Sequence, residues 1–219
     1  MARTLTVGAL VSGEGTTVEA LAEMAAGGHL PVRFALVVAD RPHAPAIARA
    51  RARGLPTLVL PTHGVEPEVW AARLTQELEA QDVELVVLAG FLSILPRSWV
   101  ERWQGRAINL HPSLLPRYGG PGLYGRKVLE AVLAARERTT GATVHLVTDE
   151  VDRGPPLAQE RIPVVPDDTP ESLRARLHPV EVALLAATLR RFAEGSLPLP
   201  YAETGTAVPR GPGEPDSRR

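Results

Sequence analysis

Asn109 and His111 stand two positions apart at the end of an apolar run, in the segment INLHPSLLPRYGG (108–120). In an extended strand, residues i and i+2 point to the same face, so these two polar side chains emerge together. An asparagine amide can donate to an oxyanion, and a histidine can take or give a proton near neutral pH. Pro112 follows directly and cannot extend the ladder, which makes the stop deliberate. The pair suits a reaction that builds negative charge on oxygen while a proton moves. It also suits a plainer assignment, a satisfied loop histidine beside a turn-forming asparagine. Their spacing alone does not separate the two.

A third group bears on that choice. Asp149, Glu150 and Asp152 crowd into TDEVDRGP (148–155). A carboxylate beside His111 would raise its pKa and fix its orientation. Acidic turns are also common on surfaces, so the fold has to deliver one of them to the ring. His145, alternating with Val144 and Leu146, reads as structural rather than catalytic.

The loop Ser12-Gly13-Glu14-Gly15-Thr16-Thr17 sits where a phosphate loop would. Its glycines let the backbone approach an anion, and the N–H groups at the start of the next helix can bind it. The other reading is an ordinary strand-to-helix turn with Thr16 or Thr17 as N-cap. A dinucleotide fingerprint would need glycine where Val18 stands, although Asp40 could imitate its ribose-binding acid. A single phosphate fits the loop better. On that reading Gly15→Val should weaken phosphate binding while folding survives.

These groups need a scaffold. Apolar strand-like runs at 5–12, 32–40, 57–61 and 83–91 alternate with amphipathic stretches at 18–28, 44–54 and 68–81. A short helix at 99–105 leads to the strand 106–111. Beta-alpha repetition with fully apolar strands means a parallel sheet covered on both faces. A long helix is expected at 123–138, then two period-2 strands within 141–164 as an antiparallel pair. The stretch 168–195 opens on a capping pattern, Asp168 to Glu171, and reads as a helix interrupted by Pro179. The expected fold class is therefore α/β: a Rossmann-like parallel sheet with helices on both faces, extended by an antiparallel C-terminal strand pair. Ligands on such sheets bind at the carboxyl ends of the strands. Residues 1–200 read as a single domain and 201–219, with almost nothing apolar, as a disordered tail.

Composition narrows the function. With 44% hydrophobic residues and a net charge of -1, the chain is not a charge-driven nucleic-acid binder. No segment approaches the roughly 20 apolar residues that span a bilayer, so no membrane partner is expected. The first residues read as a strand rather than a signal peptide. The absence of cysteine removes disulfide and thiolate chemistry and fits a cytoplasmic address. The histidines lack ligand spacing, so no metal is expected.

The segments SGEGTT, VVLAGFLSILP (86–96), INLHPSLLPRY (108–118), GATVHLVTDEVDRGPPLAQ (141–159) and the late helix around Glu181 occur in an order that resembles the glycinamide ribonucleotide transformylases. These belong to the folate-dependent formyltransferases, and the likeness runs over roughly residues 5 to 195. It implies a single formyltransferase domain, with 10-formyltetrahydrofolate as co-substrate and glycinamide ribonucleotide as acceptor in purine biosynthesis. It implies Asn109 as the oxyanion-stabilising residue, His111 as the proton-transfer residue and Asp152 as its supporting carboxylate. Leu92, Ser93, Ile94 and Leu95, with Asn109, would meet the folate, and Gly15, Thr16 and Thr17 the ribonucleotide phosphate. Glu181 would lie near the sugar. Small-molecule substrates and a monomer or homodimer follow from the same likeness.

The chain departs from the family pattern where Thr16-Thr17 replaces Ser-Asn, where Glu14 replaces a neutral residue, and where Ser93 and Pro67 replace basic ones. These changes touch binding more than chemistry. On this reading Asn109 and protonated His111 stabilise the tetrahedral oxyanion, and Asp152 keeps the imidazole charged. A formyltetrahydrofolate deformylase would use the same trio with water, usually behind an extra N-terminal domain. A methionyl-tRNA formyltransferase would need a further C-terminal domain and a basic face. A non-catalytic nucleotide-binding domain would leave the trio without a purpose.

Overall fold

A computed structural model describes residues 3–201. The elements run β1 (Leu5–Val11), α1 (Thr16–Ala26), β2 (Val32–Ala39), α2 (Pro45–Ala52), β3 (Thr57–Val59), α3 (Pro67–Glu79), β4 (Leu85–Ala89), α4 (Arg97–Arg102), β5 (Ala107–His111), α5 (Arg126–Ala134), β6 (Thr139–Leu146), β7 (Pro156–Pro163) and α6 (Pro170–Ala193). They form one seven-stranded sheet in the order β3-β2-β1-β4-β5-β6-β7. The pairs among β1 to β5 are parallel, and β6 and β7 are added antiparallel. The expected fold class is the one found.

Side-chain alternation explains why both faces are covered. Leu5, Val7, Ala9 and Val11 of β1 pack into one core with α1, α2, α5 and α6. Leu10 points the other way, into a core built by Trp70, Leu74 and Leu78 of α3 with Trp99 of α4. Strand β5 repeats the pattern: Ile108 and Leu110 enter the first core and Ala107 the second. Asn109 and His111 therefore share the face of Ala107, at the carboxyl end of the strand.

Three local expectations are corrected. The helix expected at 123–138 begins only at Arg126, because Gly120, Gly122 and Gly125 all take positive φ and hold the preceding segment as a loop. The helix α6 passes through Pro179 without a break. Proline there costs about 3 kcal/mol. Leu173 and Leu177 before it, and Leu185, Leu189 and Phe192 after it, are fully buried. At roughly 1.5–3 kcal/mol for each such side chain, burial on both sides outweighs the lost bond. Its cap also lies one residue later than expected: Thr169 accepts from the Ser172 N–H, and Ser172 accepts from the Thr169 N–H.

The loop after β1 corrects a fourth. Neither threonine caps α1; the N-cap is Gly15, in the left-handed region at φ 72, with no side-chain cap. A Cβ at Gly15 would lie 2.5 Å from the Ala46 Cβ and 2.8 Å from its Cα, on the backbone of α2. The glycine thus serves close packing as well as any anion. Gly15→Val is expected to destabilise the fold by roughly 2–5 kcal/mol, combining left-handed strain with overpacking. Thermal unfolding checks this: an unchanged melting temperature would return the glycine to an anion-binding role alone.

Tyr201, where the tail was expected to begin, donates its N–H to the Gly105 carbonyl at 2.8 Å. The rest of that expected tail, residues 202–219, lies outside the described residues.

Candidate active site

The turn after β6 brings Asp152 back over the end of β5. Antiparallel register sets Asn109 directly opposite His145 and His111 opposite Thr143. Asp152 takes a left-handed φ of 56, and Gly154 lets the turn close: a Cβ there would fall 1.8 Å from the Leu146 carbonyl oxygen. The Asp152 carboxylate then stands 3.5 Å from His111 Nδ1, accepts from Asn109 Nδ2 at 3.3 Å, and accepts from the Gly120 N–H at 3.0 Å. Three residues separated in sequence meet at one point, and all three have little or no free surface.

His145 belongs to the same cluster, which its alternation with apolar neighbours does not reveal. Its Nδ1 faces its neighbour's carbonyl, Leu146, at 2.8 Å and so carries the proton of the neutral ring. Its Nε2 accepts from Asn109 Nδ2 at 3.0 Å. Both hydrogens of the Asn109 amide are thereby placed, one toward His145 and one, more loosely, toward Asp152. The missing signal was register: only the β5–β6 pairing shows that residue 145 faces residue 109. His145→Leu is expected to leave substrate binding intact and lower kcat roughly tenfold, the worth of one lost orienting hydrogen bond. Equal kcat in the two proteins would make His145 a core residue only.

The protonation of His111 is corrected. Burial, the larger influence, lowers its pKa below the usual value, against the upward pull of Asp152 and of the Tyr118 carbonyl. The ring rests neutral at pH 7 rather than charged. Its Nε2 lies 2.8 Å from the Tyr118 carbonyl oxygen, so in the neutral ring that nitrogen donates. For Asp152, burial raises the carboxyl, but His145 and His111, which attract the carboxylate whenever either ring takes up a proton, and the Gly120 N–H together hold it below its ordinary value. It stays ionised.

The loop 112–118 is held rigidly beneath these groups. Thr143 Oγ1 donates to the Ser113 carbonyl at 2.6 Å and accepts from the Leu115 N–H at 3.1 Å. Gln159 Nε2 donates to the Leu115 carbonyl at 2.9 Å.

The cluster lines one cavity, and a second adjoins that cavity. The first, of about 360 Å³, is lined by Asn109, His111, Asp152, His145 and the segment Leu92–Leu95. Its walls are more apolar than polar, as is usual for a site that takes a small molecule. Within it the Leu92 N–H already donates to Ser12 Oγ at 2.8 Å, and Ser93 Oγ donates to Asp40 Oδ2 at 2.6 Å. Ile94 is 74% exposed at the mouth. Asp40 is buried on that bond and lines neither cavity, which removes it as a ribose ligand.

The other cavity, of about 380 Å³, is lined by Gly15, Thr16, Thr17, Arg174 and Glu181. The uncapped first turn of α1 faces it with free N–H groups. Glu14 also lines this cavity, with Arg49 3.5 Å away. Burial pushes the Glu181 carboxyl above its usual range, with Arg174 pulling the other way. The cavities share Gly90, Leu92, Leu110 and Pro112, so a molecule in each would meet beside Asn109 and His111. Among the described residues no cluster of histidine and carboxylate side chains could hold a metal ion.

A mixed sheet of this topology, with an amide, an imidazole and a carboxylate converging in one cavity beside a second, has the layout of an enzyme site rather than of a purely structural domain. The formyl transferase family matches residues 6–189, and the chain belongs to that family. It is 30% identical over 194 residues to phosphoribosylglycinamide formyltransferase of Haemophilus influenzae, covering 88% of this chain and 89% of that one. It is 39% identical to the trifunctional purine biosynthetic protein adenosine-3 of Drosophila melanogaster over 87% of this chain, but spans only 14% of that protein's length. The crystal structure of phosphoribosylglycinamide formyltransferase from Anaplasma phagocytophilum superposes with a TM-score of 0.82 at 33% identity, covering 97% of both chains.

Proposed function

We propose that this chain transfers the formyl group of 10-formyltetrahydrofolate to the amine of glycinamide ribonucleotide, in purine biosynthesis. The observation that carries this reading is the meeting of Asn109, His111 and Asp152 in one cavity, which adjoins the second at Leu110 and Pro112. Formyl folate occupies the cavity walled by Leu92, Ser93, Ile94 and Leu95, and the ribonucleotide occupies the one walled by Gly15, Thr16, Thr17 and Glu181.

The amine nitrogen attacks the formyl carbon, and the carbonyl electron pair moves onto oxygen. Asn109 donates to that oxygen. Of its two hydrogens, the one directed at Asp152 makes the longer contact, 3.3 against 3.0 Å, and is the easier to redirect. Substrate displaces the Tyr118 carbonyl from His111 Nε2. The ring proton then moves to Nδ1, beside Asp152, and Nε2 takes the proton that the amine loses. The imidazolium so formed lies against the Asp152 carboxylate and returns its proton to the folate nitrogen as the C–N bond breaks. Positioning and charge placement supply the acceleration.

We also infer a single domain over residues 1–200, working in the cytoplasm on small molecules as a monomer or homodimer, without nucleic acid or membrane. The near-neutral charge and the lack of cysteine support this, and no described helix is long and apolar enough to cross a membrane. The test is incubation with formyl folate, with and without glycinamide ribonucleotide, following folate release. Release that requires the amine is expected. Release with water alone would make the chain a deformylase, and no release would leave the site without this chemistry.

A further inference from the structure

The ribonucleotide cavity holds a cation that the chemistry above does not use. Its charged lining consists of Arg126 and Arg174 against Glu14, Glu171 and Glu181. Arg126 is taken up by Glu130 and Glu171 at the rim. Arg174 is bound differently. A single nitrogen, Nη1, meets both Glu181 oxygens, at 3.0 and 2.9 Å. A guanidinium has five N–H donors, so its other two nitrogens keep donors to offer. The pair is also lopsided in freedom: the Arg174 side chain is 43% exposed and that of Glu181 only 3%.

We propose that Arg174 recognises the ribonucleotide phosphate and exchanges Glu181 for it when the substrate binds. This rests on the reading of that cavity as the ribonucleotide site. A phosphate monoester brings nearly two negative charges into a lining where carboxylates outnumber arginines. The first turn of α1 offers only about half an elementary charge. A full cation is needed, and Arg174 can swing on its exposed stem while Glu181 stays in place. A guanidinium matches a phosphate in bidentate geometry, which the single-nitrogen contact with Glu181 does not use. Once released, the Glu181 oxygens can accept from sugar hydroxyls, so phosphate recognition prepares the acceptor for the sugar.

The test uses ribose 5-phosphate and ribose as probes, titrated calorimetrically into the full chain and into Arg174→Gln. The parent should bind ribose 5-phosphate in preference to ribose. Arg174→Gln should weaken ribose 5-phosphate by roughly 10- to 100-fold, flatten its salt dependence and leave ribose binding no weaker than in the parent. Arg174→Lys should recover part of the loss. Should Arg174→Gln unfold because Glu181 is left buried and unpaired, Arg174→Gln with Glu181→Gln removes both charges and should lose ribose 5-phosphate affinity well beyond any loss of ribose. Undiminished ribose 5-phosphate affinity, or equal loss of both probes, overturns the inference. If the parent still formylates glycinamide ribonucleotide in that case, the functional reading stands without it. If the parent neither binds ribose 5-phosphate nor turns over, both fall.

Discussion

His111→Ala is expected to lower kcat by roughly 10²–10⁴, the worth of a positioned acid–base group, with the affinity for both substrates largely kept. The ring is 4% exposed and both of its nitrogens face protein acceptors. Its removal opens a small void at the end of β5 but takes nothing from the walls of either cavity beyond the ring itself. Single-turnover rates with substrate binding measured separately distinguish this from a folding defect. A variant that turns over near the parent rate would make the histidine structural, and the transfer reading would fail with it.

Asp152→Asn is expected to do comparable damage by another route. The carboxylate accepts from Asn109 and from the Gly120 N–H while facing His111 Nδ1. An asparagine of the same shape has only one acceptor oxygen, so a donor is left facing a donor, and the imidazolium formed during transfer loses its counter-charge. The pH dependence gives the sign. Burial already lowers the His111 pKa below 6.5, and Asp152 pulls it up. The rate requires the neutral ring in the free enzyme, so kcat/KM rises with pH through the folded pKa and is level at pH 7. Without Asp152 the acidic limb should move to lower pH. A limb that stays in place would mean that the two side chains are not coupled. Asp152 also links to stability: its folded pKa lies below 3.8, so its contribution is present above 3.8 and is lost as pH falls through the folded value. Acid unfolding should show that loss in the parent and not in the variant.

Much of this molecule is legible along the chain because its signals are local. Continuous apolar runs such as VVLA in β4 are what a strand buried on both faces requires, and their alternation with amphipathic stretches already implies a parallel sheet. The spacing of Asn109 and His111 fixes them on one face whatever surrounds them, and Pro112 marks where the strand stops. Motif order carried the family, and with it the assignment of Asp152, which no local property distinguishes from Asp149 or Glu150.

What the chain alone did not decide is everything that depends on pairing across distance. His145 faces Asn109 only because β6 returns antiparallel in one particular register, and a shift of a single residue would turn it to the other face. Gly15 reads locally as an anion-binding residue, but the reason it cannot be larger is Ala46, on a different helix. Pro179 ought to break a helix by its own chemistry and does not, because the apolar side chains on either side of it are held against the sheet. The charge state of His111 turned on the same kind of fact. A neighbouring carboxylate raises its pKa, yet the loss of water around a buried ring lowers it further, and only the folded packing determines how much water is left.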